Sequence, residues 1–260
     1  MSPSNQLHRL AKQGDLDRVR ELLNSQSREA IGINVCDSAG YTPLMHSVTS
    51  PKASVELVRL LLEFGADANQ WNQSVYGGTY MIGAVSACLG AGDPEKLAVL
   101  LEYGADLRYQ RAGSDYALIE SVCGRDVLRD PRLIDLLKLL IAHGVPLNAV
   151  DSYKESGLRV LSRIGRFDAV RLLLEAGADE SQLEWTPLIR SVALGSLADV
   201  EAAVAGGAPL EERDWWGRTA YLVAVQTGDL AKAQFLRKSG ADADARGRGA
   251  AERGEGPTDP

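Results

Sequence analysis

The segment Gly-Ala-Asp decides the fold, because it recurs along the chain at a nearly regular spacing. The full copies are Gly65-Ala66-Asp67, Gly104-Ala105-Asp106, Gly177-Ala178-Asp179 and Gly240-Ala241-Asp242, and the weaker ones are Gly144-Val145-Pro146 and Gly207-Ala208-Pro209. Successive first glycines lie 39, 40, 33, 30 and 33 residues apart. A recurring period of about 33 residues predicts a stack of repeated units, each too small to fold alone.

An apolar stripe of helical periodicity precedes these glycines. Before Gly65 it consists of Val58, Leu61 and Leu62, which lie seven, four and three residues upstream. These positions fall on one face of an α-helix, so the stripe predicts a helix with a buried face. The glycine then ends the helix, because the left-handed backbone conformation costs glycine little.

A shorter helix precedes each of these outer helices. Its start is marked most clearly by Thr42-Pro43-Leu44 and Thr186-Pro187-Leu188. Threonine caps free backbone N–H groups at a helix start, and proline is tolerated in the first turn. Each repeat is therefore predicted to be a helix–turn–helix unit.

These residues resemble the ankyrin-repeat family. The family pattern appears as Asp37-Ser38-Ala39-Gly40-Tyr41-Thr42-Pro43-Leu44 and as Asp214-Trp215-Trp216-Gly217-Arg218-Thr219-Ala220-Tyr221. In-phase copies give seven units over about residues 4–244. The resemblance implies an all-α solenoid of helix–turn–helix units with β-hairpin-like fingers between them. Residues 1–244 are then one ankyrin-repeat domain, and residues 245–260 are expected to form a disordered tail.

Several repeats depart from the regular pattern. The distance from helix cap to terminal glycine is 21 residues in the regular repeats, but 23, 25 and 28 in the second, third and fourth. We expect the extra residues in the turn between the two helices, and in the fourth repeat they form the loop 124–132 with Arg125 and Arg129. The finger before the sixth repeat is three residues short. In the last outer helix, Lys232, Arg237 and Lys238 lie on or near the expected apolar stripe, which predicts a terminal cap facing water.

Aromatic residues concentrate in the predicted fingers. Trp71, Trp215 and Trp216 are expected near finger tips, exposed for partner binding or stacked on neighbouring fingers, because tryptophan is frequent at interface hot spots. Trp185 precedes a helix cap, where local packing is the favoured role. The other predicted partner-binding residues are Tyr76, Tyr109, Arg125, Arg129, Arg190 and, as the less favoured of its two roles, Trp185. Arg190 belongs to a set of inner-helix residues of mixed charge, with Arg9, His46 and Glu120, which are expected to be solvated.

No motif for catalysis is found in the sequence. Zinc-protease, nucleophile-elbow and phosphate-loop motifs are absent, so neither an enzyme nor a cofactor or metal site is predicted. His8 occupies a position where the family uses histidine to support the finger. The three cysteines form no CxxC pair and are expected to be small buried residues in a reducing compartment.

Charge and hydropathy narrow the class of partner. The net charge of −7 disfavours nucleic acid and favours a basic partner. Neither a signal peptide nor a membrane-length apolar run is visible, so a cytoplasmic monomer that binds another protein is expected. Abundant arginine, alanine and glycine hint at a bacterial source, and small bacterial ankyrin proteins often resemble immunity proteins that occlude a toxin encoded by a neighbouring gene. A secreted effector or adaptor acting on host proteins, and an enzyme subunit, are the alternatives.

Overall fold

The computed structural model describes residues 2–73, 81–111, 114–123 and 126–247. Two compact units divide the chain, Met1–Lys154 and Glu155–Pro260. The first unit contains α1 Pro3–Gln13, α2 Leu16–Ser25, α3 Arg28–Ile31, α4 Pro43–Thr49, α5 Val55–Glu63, β1 Trp71–Gln73, β2 Met81–Gly83, α6 Ala84–Ala91, α7 Pro94–Glu102, β3 Gln110–Arg111, β4 Ser114–Asp115, α8 Ala117–Ser121 and α9 Leu133–Ala142. The second contains α10 Gly157–Ile164, α11 Phe167–Glu175, a 3-10 helix Glu180–Leu183, α12 Pro187–Leu194, α13 Leu197–Ala205, α14 Ala220–Thr227 and α15 Leu230–Lys238.

The helices pair as the repeat pattern predicts. In the first unit the inner helices α1, α4, α6 and α8 pack in sequence, and the outer helices α2, α5, α7 and α9 form a parallel row. In the second unit α12 packs on α14, and each inner helix contacts its own outer helix. The all-α ankyrin fold is therefore confirmed within each unit.

The predicted apolar stripe forms the core. Val58 and Leu61 are fully buried, as are Leu97, Leu100 and their equivalents in the fourth and fifth repeats. The position three residues before the glycine is less buried: Leu62 is buried, but Leu101 is only half-buried. The stripe is thus two residues wide along most of the stack.

The terminal glycine of each repeat adopts the left-handed conformation that the pattern predicts. The φ angles of these glycines lie between 67° and 103° for Gly65, Gly104, Gly144, Gly177, Gly207 and Gly240. Any side chain at this φ is strained, so the recurrence of glycine follows from backbone geometry.

The position of the extra residues in the third repeat corrects the sequence prediction. Helix α6 is capped at Gly83, and only Gly92 and Asp93 separate it from α7. The extra residues therefore precede the inner helix, in the finger, rather than lying between the helices. The predictions for the second and fourth repeats are confirmed, because residues 50–54 separate α4 from α5 and residues 122–132 separate α8 from α9.

Lys232 also differs from its prediction, because it does not face water. It is 8% exposed, and its Nζ donates to the carbonyl oxygens of Val192 at 3.0 Å and Gly195 at 2.8 Å. Lys96 makes the equivalent bonds to the carbonyls of Ser47 at 3.1 Å and Ser50 at 2.7 Å. Each ammonium group donates to carbonyls at the C-terminal end of the inner helix in the preceding repeat. The dipole of that helix also favours a positive charge at this end.

Candidate protein-binding surfaces

The finger of the third repeat packs Trp71 on its own hairpin and beside Tyr109. Strand β1 sets Trp71 opposite Gly83, and a Cβ at Gly83 would lie 3.0 Å from the indole ring. The ring centroid lies 4.9 Å from that of Tyr109. The absence of a side chain at Gly83 therefore lets the indole pack flat on the hairpin.

Tyr109 is held by a polar network. Its hydroxyl donates to Glu120 Oε2, and the hydroxyl of Ser86 donates to Glu120 Oε1 at 2.7 Å. Tyr109 is itself buried. Trp71 thus packs on a tyrosine that is held in place by hydrogen bonding. Glu120 was expected to be solvated, but it accepts hydrogen bonds from Tyr109 and Ser86.

The lengthened loop between α8 and α9 presents both apolar and basic groups. Val127 is buried, Leu128 is 52% exposed, and the side chain of Arg129 is 85% exposed. Arg129 Nη1 lies 3.9 Å from Asp126 Oδ2, an exposed pair that restrains it little. Tyr76 and Arg125 lie outside the described residues.

The second unit brings together two arginines of α10 and two tryptophans of the last finger, and we refer to Arg159, Arg163, Trp215 and Trp216 as the arginine–tryptophan cluster. The guanidinium carbon of Arg159 lies 3.6 Å from the centroid of the Trp215 ring, and that of Arg163 lies 5.0 Å from the Trp216 ring. Trp216 Nε1 also donates to the carbonyl of Arg159 at 3.3 Å. These contacts fix both indoles in cation–π geometry.

A buried ion pair anchors the finger that carries both tryptophans. Arg218 binds Asp214, whose side chain is only 1% exposed, and donates to Ser162 O and Ser162 Oγ at 2.8 Å each. It also donates to the side chain of Gln226. The finger of the seventh repeat is thereby tied to α10 of the fifth.

Arg159 is bound within the fold and has acidic neighbours. Arg159 Nε donates to the carbonyl of Gln182 at 2.7 Å. Burial lowers the pKa of its guanidinium, although Glu155 and Glu184 oppose the shift. Arg159 therefore has acidic neighbours and is committed to holding the finger.

Trp185 and Arg190 lie elsewhere in the second unit. The Trp185 ring centroid lies 6.0 Å from that of Phe167, in agreement with the local packing favoured from sequence. Arg190 Nε lies 2.8 Å from Glu180 Oε1. It lines a cavity of about 470 Å³, whose other lining residues include Arg171, Leu174, Leu194 and Asp199.

The tryptophans at the predicted finger tips are not freely exposed. All three are half-buried: Trp71 packs on Tyr109 of the next finger, as the stacking alternative expects, whereas Trp215 and Trp216 pack on arginines of the inner helix α10 rather than on a neighbouring finger. Their role in partner binding stays a prediction. The sequence analysis did not predict that Arg159, Arg163 and Arg218 hold the last finger. Only the spacing of Arg159 and Arg163, one helical turn apart, indicates that both side chains lie on one face of α10.

The histidines have structural partners. His8 binds the carbonyl oxygens of Ser4 at 2.8 Å and Val35 at 2.9 Å, which confirms its predicted support of the finger. His46 Nε2 lies 2.7 Å from Asp37 Oδ2, so it is paired rather than solvated. Burial lowers the pKa of His46 below its ordinary value, despite the opposing effect of Asp37.

Across the described ranges, no group of three or more His, Cys, Asp or Glu side chains is arranged to hold a metal ion. Burial raises the pKa of the Cys88 thiol well above its usual value. A search of those same ranges finds no helix with the length and apolar character needed to cross a membrane.

Comparison with known proteins identifies the repeats. The ankyrin-repeat family model matches residues 7–111 in three copies. Glycerophosphocholine phosphodiesterase gde1 of Schizosaccharomyces pombe is 36% identical over 39% of the chain, and E3 ubiquitin-protein ligase KEG of Arabidopsis thaliana is 27% identical over 80%. These matches span only 9% and 13% of the relatives' own lengths.

A solved structure extends the likeness to most of the chain. The human ASB11 ankyrin repeat domain superposes with a TM-score of 0.59 at 23% identity, covering 91% of this chain and 98% of that domain. At this identity the likeness concerns the fold. The family match thus identifies ankyrin repeats in residues 7–111, and the solved structure shows the ankyrin-repeat fold over most of the chain.

Proposed function

We propose that the chain is a binding module that holds a folded protein partner through its fingers, inner helices and inter-helix loops. The observation that carries this proposal is the arginine–tryptophan cluster. Trp215 and Trp216 are partly exposed, yet their rings are fixed by Arg159 and Arg163 before any partner arrives. Prefixed aromatic groups lose little conformational entropy on binding, and tryptophan and arginine are the commonest interface anchors.

The first unit supplies a second set of contacts. Trp71 is braced by Tyr109, and the α8–α9 loop exposes Leu128 and Arg129. These groups lie in the first unit and the cluster in the second, so each can be altered without touching the other. Ankyrin repeats serve as protein-interaction modules, and this role needs no catalytic group.

The test is capture of a partner from lysate of the source cell, followed by reconstitution from purified proteins. We expect wild-type chain to retain a partner that binds directly, and the paired Trp215→Ala and Trp216→Ala change to weaken binding at least about 100-fold, because two hot-spot residues are removed. Trp185→Phe is the matched control, since it removes an indole that packs locally. Circular dichroism must show that the double variant remains folded. Equal binding by wild type and double variant would reject the proposal.

For the biological role, we propose an immunity protein that occludes a toxin encoded by a neighbouring gene. The acidic charge and the lengthened loop between α8 and α9 support a tailored partner surface, although they also suit an adaptor or a secreted effector. Co-expression with the neighbouring gene's product decides between them. Protection of the cells, lost in the tryptophan double variant, is expected for immunity. Failure to protect, or detection of the protein inside host cells, would overturn it.

A further inference from the structure

Arg163 stands out among the charged groups of the second unit. Its Nε atom is buried and has no hydrogen-bond partner among the described residues. Its guanidinium carbon lies 5.0 Å from the centroid of the Trp216 ring. By contrast, the guanidinium groups of Arg159 and Arg218 donate to carbonyl, carboxylate or hydroxyl oxygens within the fold.

The backbone around Arg163 is fixed. Helix α10 carries it one turn after Arg159, and the side-chain amide of Gln226 donates to the Arg163 carbonyl. Trp216 is held in turn by its hydrogen bond to Arg159. The Arg163 guanidinium and the adjoining indole face therefore form a preformed pair, in which the guanidinium retains unused donors.

The acidic groups near the cluster act on arginines other than Arg163. Asp214 lies in the buried pair with Arg218, and Glu155 and Glu184 act on Arg159. The nearby basic residue Arg213 is also bound within the fold, because it donates to the carbonyl oxygens of Gly217 and Arg246 at 2.7 Å each. Among the described residues, none of these carboxylates makes an ion pair with Arg163.

We propose that Arg163 is the anchor for a carboxylate side chain of the protein partner, with the Trp216 ring as the apolar surface beside it. This inference rests on the proposed function and narrows its partner to one that presents an acidic residue here. The planar fork of a guanidinium matches a carboxylate through two parallel hydrogen bonds, and a half-buried position strengthens them.

The presence of a single basic group of this kind in the cluster favours one acidic side chain over a nucleic acid. The chain carries a net charge of −7, and nucleic-acid binding normally needs many basic side chains spread along the phosphate backbone. In this cluster one arginine, Arg163, has an Nε atom with no hydrogen-bond partner among the described residues. One or two carboxylates can satisfy a site of this size, whereas a phosphate backbone requires a row of basic side chains.

The test selects ligands without knowing the partner. A library of random peptides displayed on phage is selected on immobilised wild-type protein, and the enriched peptides are synthesised. We expect enrichment of Asp and Glu, and a loss of affinity of at least about 10-fold on Arg163→Gln, since a charge-assisted hydrogen bond is removed. Arg237→Gln, an equal charge change on exposed α15, should leave the affinity unchanged.

Two further variants separate binding from folding. Arg163→Lys keeps the charge but loses the fork, so it should also weaken the acidic peptides while leaving the melting temperature close to that of wild type. Peptides without acidic enrichment, or equal binding to Arg163→Gln, would overturn the assignment. A labelled oligothymidylate that binds in an Arg163-dependent manner, more tightly than any peptide, would also overturn it in favour of phosphate. In either case the capture experiment would still judge protein binding separately.

Discussion

The ion pair between Arg218 and Asp214 gives the sharpest test of how the last finger is held. Arg218 is 9% exposed and makes bonds to Asp214, Ser162 and Gln226. Arg218→Ala removes the guanidinium and leaves the Asp214 carboxylate, whose side chain is only 1% exposed, without its counter-charge. Breaking a buried pair in this way costs about 3–5 kcal/mol.

Two features of the site refine this magnitude. The Asp214 carboxylate keeps the backbone N–H groups of Trp216 at 2.9 Å and of residue 218 at 2.8 Å, which lowers the penalty for the residual charge. The buried carbonyl of Ser162 loses its donor, which adds about 1–3 kcal/mol. We therefore expect the free energy of unfolding of the second unit to fall by about 3–5 kcal/mol.

The measurement is urea denaturation followed by tryptophan fluorescence in a Trp71→Phe background, so that the signal reports the second unit. Arg190→Ala is the control, because its pair with Glu180 is exposed and should contribute only about 0.2–1 kcal/mol. Arg218→Lys should recover little, since lysine lacks the planar fork. A loss from Arg218→Ala no larger than that from Arg190→Ala would refute the reasoning.

Three other substitutions test separate features of the fold. Lys232→Met should lower the free energy of unfolding by about 3 kcal/mol in the same denaturation assay, because two inner-helix carbonyls lose a charged donor; a neutral effect would contradict this. The pKa of His46 is lowered in the folded chain, so the unfolded chain binds more protons and the free energy of unfolding should fall as the pH drops below about 6.5. His46→Gln should make this fall less steep. An unchanged slope would exclude His46 as its source. Gly14→Ala should lower the free energy of unfolding by at least about 2 kcal/mol, because Gly14 has a φ of +72° and an added Cβ would lie 2.3 Å from the Lys52 carbonyl oxygen. Gly90→Ala is the control, because a Cβ there meets nothing within 4 Å and should be tolerated.

The parts of the fold that sequence predicts correctly depend on local rules. Val58 and Leu61 lie in the core because helical periodicity alone places them on one face, and Gly65 is left-handed because its own backbone requires it. Both properties are fixed by residues close together in the chain. The repeat then multiplies the signal, so each copy supports the others.

The errors arise where long-range contacts decide. Lys232 on an apolar stripe suggested a water-facing cap, but its ammonium reaches carbonyls 37 and 40 residues earlier in the chain. Trp216 suggested an exposed tip, but its ring meets Arg163 of another repeat. The extra residues of the third repeat were predicted between the helices because Gly83, the cap residue of α6, makes no side-chain cap bond, so the usual threonine marker of the helix start is absent.

The arginine–tryptophan cluster connects the irregularity of the second unit to its proposed role. The short finger before the sixth repeat folds into a 3-10 helix and ends at Glu184, a non-glycine residue with a φ of 51°. Its Leu183 carbonyl accepts the backbone N–H of Trp215, while the carbonyl of Gln182 accepts Arg159. The shortened finger thus contacts both halves of the cluster, and the last finger reaches back across two repeats to α10. A regular stack would use the small residues of α10 only to pack neighbouring helices, whereas here the helix also presents Arg163 beside an indole. The departure from the repeat is therefore what creates a surface specific to this chain.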